Sequence, residues 1–288
     1  MKLCRFGKPG AEKPGLIDGE GAIRDLSGVI DDITANALGR DGLRRLQNID
    51  PSTLPRVDGS PRFGTPVAHV GKMLCVGMNY ADHAAETNAP VPEQPVLFMK
   101  ATTAIGGAND TVVIPRGSVK TDWEVELGVI IGEVTRDVSV EQALDHVAGY
   151  AVINDLSERE FQLEHGGQWV KGKSCDTFGP IGPWLVTKDE VPDPQNLSLW
   201  LEVNGHRYQN GNTRTMVFGV AALVSYISRY MTLMPGDVIS TGTPAGVGLG
   251  LRPPTYLKPG DVIELGIEGL GRQRQDVVAH PSSPANAT

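Results

Sequence analysis

Glycine and proline interrupt this chain so often that long helices are excluded as its main building material. There are 35 Gly and 21 Pro among 288 residues, and proline breaks a helix interior while glycine weakens it. Between these breaks stand short runs rich in Val, Ile and Leu: KMLCVG, PVLFMK, TVVIP, EVELGVIIG, GYAVIND, LSLWLEVNG, DVIST and DVIELGIEG. Apolar runs of this length, bounded by turn residues, read as strands. The expected fold class is therefore mainly β with few helices. Two helices are predicted inside the β-rich part, over residues 139–146 and 217–231. The second contains FGVAALVSYI, too short to cross a bilayer and better read as a buried core helix.

The runs divide the chain. Residues 1–66 read as a small N-terminal module, with short extended pieces around residues 1–6 and 15–17, a helical stretch over 33–48, and a Pro-rich linker over 51–66. Residues 67–278 read as the main, catalytic domain. Residues 279–288, ending in HPSSPANAT, have no apolar period and are expected to be a disordered tail. A chain of this length can bury a substantial core without disulfide staples. Its three cysteines, Cys4, Cys75 and Cys175, contain no C-x-x-C pair, so a reducing, cytoplasmic setting is expected. The N-terminal MKLCRFGKPG turns to Gly and Pro before any apolar h-region, which argues against export and membrane insertion. A net charge of -8, with Lys and Arg scattered, gives no footprint for nucleic acid. A small anionic substrate remains compatible, because a bound divalent cation reverses the local field.

Chemistry concentrates in three segments. In DWEVELGVIIG, Glu124 and Glu126 stand two apart in a strand-like run, which puts both carboxylates on one face, while Trp123, Val125 and Leu127 occupy the other. Asp155 ends the apolar run GYAVIND and can bring a third oxygen donor to the sheet rim. Three carboxylates without neighbouring His or Cys ligands suit a hard ion, Mg²⁺ or Mn²⁺. The plainer alternative is a solvated edge strand with alternating Glu. In GMNYADHAAE, His83 and Glu86 lie three apart, on one face of a helical turn. A Glu orienting an imidazole makes a general-base dyad; a surface ion pair is the plainer reading, and Asp82 is an equally near partner. TGTPAGVG is a Gly-rich turn able to approach an anion, though Gly242, Gly246 and Gly248 also read as ordinary turn glycines. It lacks the features of a nucleotide loop. Cys175 has no His partner in its surroundings and is assigned no nucleophilic role.

In order, GMNYADHAAE, PVLFMK, DWEVELGVIIG, GYAVINDLSERE, KGKSCDTFGPIGP, LWLEVNG, MPGDVISTGTPAGVG and KPGDVIELGIEGLG resemble the fumarylacetoacetate hydrolase family, from about Lys72 to Leu270. The resemblance implies a mixed β-roll or β-sandwich domain, a homodimer, and Mg²⁺ or Mn²⁺ held by Glu124, Glu126 and Asp155. It implies a catalytic dyad at His83 and Glu86, a catalytic Lys173, and substrate contacts from Arg159, Gln162 and Thr243. Without the resemblance, Lys173 reads as a surface lysine in a Gly-flanked loop. The implied activity is metal-dependent C–C hydrolysis of a small oxo-acid, a 2,4-diketo acid such as 2,4-diketo-3-deoxy-L-fuconate. Oxaloacetate decarboxylase, dienoate isomerase and ureidoglycolate lyase activities are described for relatives of the same kind. A carboxylate-lined β protein that binds without turnover is the non-enzyme alternative. A cupin-like oxidative enzyme would need histidine ligands that this set lacks. The segment carrying His83, rich in Ala and polar residues and followed by Asn88-Ala89-Pro90, is expected to close over the site as a lid that orders with substrate.

Overall fold

The computed structural model describes residues 1–86 and 90–282. In chain order the strands are β1 (Lys2–Phe6), β2 (Lys13–Ile17), β3 (Ile23–Asp25), β4 (Met73–Gly77), β5 (Val96–Lys100), β6 (Ile105–Gly107), β7 (Val112–Ile114), β8 (Thr121–Asp122) and β9 (Val125–Ile131). They continue as β10 (Val147–Asn154), β11 (Ser157–Glu158), β12 (Gly179–Thr187), β13 (Ser198–Val203), β14 (His206–Asn212), β15 (Val238–Ser240), β16 (Val262–Ile267) and β17 (Gly271–Ala279). The helices are α1 (Ala35–Leu38), α2 (Arg40–Gln47), α3 (Ala81–Glu86), α4 (Val140–Ala143), α5 (Arg159–Leu163), α6 (Val170–Lys173) and α7 (Val220–Ser228). A ten-stranded sheet runs β3-β2-β1-β12-β10-β9-β15-β4-β5, with β6 also on β12. A five-stranded sheet runs β14-β13-β16-β17-β7, and β8 pairs with β11. The fold is mainly β, as expected.

The sheets pack because β9 is apolar on one face throughout. Val125, Leu127, Val129 and Ile131 enter a core shared with Leu199 and Leu201 of β13, Ile263 and Leu265 of β16, and Leu223, Val224 and Ile227 of α7. On its other face β9 changes character along its length. Ile130 packs with Ile153, Leu185 and the N-terminal residues Leu26, Ile33 and Leu38, whereas Glu126 lies four residues away toward the other end. Between them Gly128 leaves room for Ile153, whose Cδ1 is 2.6 Å from where a Cβ would sit. One face of one strand therefore carries both a core and a charged site.

The helices are shorter than the sequence predicts. The stretch over 33–48 is two helices, broken at Gly39, whose backbone is extended (φ -64°, ψ 160°) and whose N–H closes α1 on the Ala35 carbonyl. Across the break Glu133 Oε1 accepts the Arg40 N–H at 2.7 Å, supplying the next helix's cap. Over 139–146 only α4 is α-helical, and Leu144–His146 tightens to a 3₁₀ turn. In α7, Gln195 Oε1 accepts the Val220 N–H at 2.5 Å, and helix begins there rather than at 217.

The N-terminal strands extend the large sheet through β1, which pairs antiparallel with β12. The Pro-rich residues 51–66 lie against them, with bridges Arg24↔Arg56 and Phe6↔Phe63. At the other end β17 continues to Ala279, paired with Ile114, and Ser282 donates to His280; residues 283–288, most of the expected tail, lie outside the described residues. Among the described residues no helix is long and apolar enough to cross a membrane.

Strands β10 and β12 approach closely at Gly149, where an added Cβ would stand 2.2 Å from the Val186 carbonyl oxygen and 2.9 Å from Thr187 Cα. Backbone cannot yield there as a flexible side chain would. Gly149→Ala is expected to destabilise the protein by about 1–3 kcal/mol, read as a lower midpoint in urea unfolding with an unchanged slope.

Candidate metal centre and active site

The site forms where β9 and β10 enter the large sheet side by side. Their antiparallel register pairs Val125 with Asn154 and Glu126 with Ile153, and the Asp155 N–H donates to the Glu124 carbonyl at 2.9 Å. Asp155 is thereby drawn beside both glutamates. One carboxylate oxygen from each of Glu124, Glu126 and Asp155 lies within 4.8 Å of the others, and all three residues are buried. The solvated-edge alternative fails because β9 is flanked on both sides, by β10 and β15.

Cations and backbone N–H groups hold these carboxylates. Lys173 Nζ lies 2.7 Å from Glu124 Oε2 and 2.8 Å from Asp155 Oδ2. It is 2% exposed, which removes the surface-lysine alternative. Arg159 Nε donates to Asp122 at 2.8 Å. Arg159 NH2 is 2.8 Å from both Asp122 and Glu124, at angles outside hydrogen-bond geometry; its attraction there is coulombic. Glu126 Oε2 accepts from Ser240 Oγ at 2.6 Å and from the Gly242 N–H at 2.8 Å.

Charge and burial act differently on the two glutamates. Burial disfavours the Glu124 charge, but Lys173 and Arg159 outweigh it and hold this carboxyl well below the usual range. At Glu126 burial dominates, with Asp155 and Glu124 adding repulsion, and the carboxyl is pushed well above its ordinary value. Lys173 is itself held charged, since Asp155 and Glu124 overcome the cost of its burial. Three hard oxygen donors, one of them with its charge disfavoured by burial and by neighbouring carboxylates, fit a divalent cation.

His83 and Glu86 share α3. His83 Nδ1 is 3.5 Å from Glu86 Oε2, and both Glu86 oxygens accept the Gly246 N–H, at 2.9 and 3.0 Å. An added Cβ at Gly250 would stand 2.3 Å from Glu86 Cδ, so this loop encloses the carboxylate closely. Asp82 turns to its own helix, accepting the His83 N–H. The dyad is carried to the site by Asn79, whose amide donates to the Phe218 and Thr241 carbonyls at 3.0 and 2.8 Å. Of the expected lid, Asn88 and Ala89 lie outside the described residues.

A cavity of about 250 Å³ opens above this cluster, lined by His83, Glu124, Glu126, Arg159, Gln162, Lys173 and Thr243 together with apolar side chains. Asp155, fully buried, is not among the lining residues. No residue before Val76 lines it, so the N-terminal strands do not shape this wall. Arg159 NH1 donates to Gln162 Oε1 at 3.1 Å. The Thr243 hydroxyl donates to the Val125 carbonyl at 2.8 Å and accepts from Gln209 Nε2 at 2.7 Å. Cys175, outside this lining, has its thiol pushed up to about 11 by burial, which leaves little thiolate at neutral pH.

Four functional positions escape the sequence reading. Lys100 is fully buried and pairs with Asp155, donating also to the Leu156 carbonyl at 2.9 Å. Asp122 receives Arg159 and the N–H groups of Gly248 and Leu249, at 2.7 and 2.9 Å. Asn154 accepts the Glu124 N–H at 3.2 Å, and Gln209 the Val125 N–H at 2.9 Å. A lysine at a strand end gives no local signal of burial, but Asp122 stands in the same D-W-E-V-E run as the recognised glutamates.

A mainly β chain with a buried cluster of three carboxylates able to hold a metal beneath a small cavity, and a His–Glu pair at its side, defines the class. The chain belongs to the fumarylacetoacetate hydrolase family: residues 72–278 match the family model described as Fumarylacetoacetate (FAA) hydrolase C-terminal. A Burkholderia multivorans protein whose name specifies a hydrolase and no substrate is 64% identical over 276 residues, covering 96% of this chain and 98% of that protein. The fumarylacetoacetate hydrolase of Exiguobacterium antarcticum is 38% identical with a TM-score of 0.87, over 97% of this chain and all of that one. Maleylpyruvate hydrolase from Sphingobium sp. SYK-6, solved with manganese(II) and pyruvate, is 31% identical with a TM-score of 0.81, over 97% and 99%. The 2-hydroxyhepta-2,4-diene-1,7-dioate isomerase of Mycobacterium marinum is 34% identical with a TM-score of 0.75, over 98% and 99%.

Two outcomes follow from the charges. A glutamate raised by burial binds its proton more tightly folded than unfolded, so the metal-free protein loses stability as pH rises from the ordinary carboxylate range toward the raised value. A divalent ion removes that penalty and displaces the proton. The increase in Tm on adding Mn²⁺ is therefore expected to grow between pH 5 and pH 8, and a pH-independent increase would contradict this account. Lys100→Met leaves the buried Asp155 with Lys173 as its remaining cation and its Oδ1 without that donor, and is expected to cost about 1–3 kcal/mol in urea unfolding of the metal-free protein.

Proposed function

We propose that the protein is a metal-dependent hydrolase that cleaves a C–C bond in a small 2,4-diketo acid of the acylpyruvate type. The observation that carries this reading is the convergence of Glu124, Glu126 and Asp155 within 4.8 Å under a cavity that His83 also lines. The likeness to a hydrolase solved with manganese(II) and pyruvate supports it. Glu124, Glu126 and Asp155 would hold Mg²⁺ or Mn²⁺. Bound there, the ion supplies Lewis acidity toward the carboxylate and 2-oxo oxygens of the substrate.

The remaining work falls to side chains. Glu86, fixed by Gly246, orients the His83 ring through Nδ1, and His83 takes a proton from water. The resulting hydroxide adds to the distal carbonyl carbon. The C–C bond then breaks, its electron pair passing to the pyruvate fragment as an enolate, and the distal fragment leaves as a carboxylic acid. The proton held on His83 returns to the enolate carbon, completing pyruvate. Lys173 and Arg159 offset the negative charge that gathers during these steps.

An isomerase reading keeps the same ligands and needs no water; the likeness to the Mycobacterium marinum isomerase favours it. Decarboxylation of oxaloacetate and a lyase reaction are further uses of the same groups. Incubating metal-free and Mn²⁺-loaded or Mg²⁺-loaded protein with acetylpyruvate and oxaloacetate, and following pyruvate together with loss of the diketo absorbance, separates hydrolysis from decarboxylation, and metal-dependent turnover of neither leaves the isomerase and lyase readings. Metal-dependent pyruvate from acetylpyruvate is expected. Pyruvate from oxaloacetate alone would replace hydrolysis with decarboxylation. His83→Ala is expected to lower kcat by about 10²–10⁴-fold with Mn²⁺ affinity retained; unchanged turnover would remove the dyad from the mechanism.

A further inference from the structure

The cavity lining divides into two chemistries. Beside the charged groups stand Val76, Met78, Phe98, Leu163, Trp169 and Leu249. The polar atoms these six side chains carry are the indole N–H of Trp169 and the thioether of Met78. Their arrangement is built rather than incidental. The Trp169 ring lies on the backbone of Gly77, where an added Cβ would be 2.3 Å from it. The Phe98 and Trp169 rings meet edge to face at 5.4 Å, and Lys173 Nζ sits 5.0 Å from the Phe98 centroid. The aromatic wall thus begins beside Lys173 and extends to Leu163, which is 46% exposed.

Several polar groups near this wall are already engaged. Arg159 faces Asp122 and Glu124, and Lys173 faces Glu124 and Asp155. Gln162 accepts from Arg159, and the Thr243 hydroxyl is spent on Val125 and Gln209. A hydroxyl or carboxylate pressed against the six apolar side chains gives up water without replacement, whereas an alkyl or aryl group gains from burial there.

We infer that the group distal to the metal-binding end of the substrate is an apolar acyl chain, alkyl or aryl, rather than a polyhydroxylated chain or a second carboxylate. This rests on the metal-centred reading above and narrows it. The sugar acid 2,4-diketo-3-deoxy-L-fuconate, which the sequence resemblance favours, carries one hydroxyl and a terminal methyl in its distal acyl group, so it asks a single hydroxyl partner of this wall.

Three oxo-acids of equal length test the inference without cleavage: 2-oxohexanoate, 4,5,6-trihydroxy-2-oxohexanoate and 2-oxohexanedioate, each titrated calorimetrically into Mn²⁺-loaded protein. The expected result is about tenfold or greater preference for 2-oxohexanoate, lost in Trp169→Ala or Leu163→Ala. Equal or tighter binding of either polar acid overturns the inference, and so does a preference that both variants retain. Binding of none of the three overturns it together with the metal-centred reading. Pyruvate release from acylpyruvates, followed in parallel, tests hydrolysis by itself. The binding preference without pyruvate release removes the hydrolytic reading and upholds the inference.

Discussion

Lys173 bridges Glu124 and Asp155, two buried carboxylates that adjacent antiparallel strands bring together. The rest of the site is arranged around the cost of that burial. Charges taken out of water are tolerated when opposite charges and hydrogen bonds meet them at close range. Here Lys100, Lys173 and Arg159 converge on Asp122, Glu124 and Asp155. Glu126 receives Ser240 and Gly242 instead, and it is the carboxyl driven toward its protonated form. The imbalance is what gives a divalent cation its place.

Buried amides transmit this order to the second sheet. Gln275 of β17 accepts from Asn154 at 3.1 Å and donates to the Ala108 carbonyl at 2.6 Å. Asn154 in turn holds the backbone of Glu124. Gln273 donates to the Val152 carbonyl at 2.8 Å and to the Gly182 carbonyl at 3.1 Å, close to where the β10–β12 register shifts. Each amide satisfies backbone groups that strand pairing leaves over, so the three carboxylates, one within β9 and two at the ends of β9 and β10, are held on a rigid frame. The loop over residues 241–250 serves the other side, giving N–H groups to Glu126, Glu86 and Asp122. A single loop thereby couples the dyad to the metal centre.

Most strands legible in the sequence are those whose inward positions are apolar; β5, whose buried position is Lys100, is legible from its exposed and half-buried Val, Leu, Phe and Met. All eight runs read as strands contain one, from β4 to β16. β12 escapes because Gly179, Pro180, Gly182 and Pro183 carry the signature of a turn, and β17 because two of its inward positions are Gln273 and Gln275 rather than Val or Ile. The helices are overextended in the reading for a related reason. Apolar periodicity continues past the point where Gly39 becomes extended and past the first residues before α7, and a pattern does not register where hydrogen bonds from Glu133 or Gln195 set a helix end.

By itself the sequence determined the chemical inventory: a strand presenting Glu124 and Glu126 on one face, a carboxylate ending the next long strand, and a His–Glu pair on one helical turn. Each follows from periodicities of two residues in a strand and of three to four in a helix, which are local properties of the backbone. Tertiary structure decided which charges meet. Lys100 and Lys173 are indistinguishable in sequence from surface lysines, and only the pairing of β9 with β10, and the folding of α5 and α6 over their ends, takes them out of water. It decided as well that the cavity continues into an aromatic wall, because Trp169, Phe98 and Gly77 are far apart in the chain and adjacent only after the sheet closes. Contacts between distant residues carry no local pattern, and the chemistry of the pocket depends on them.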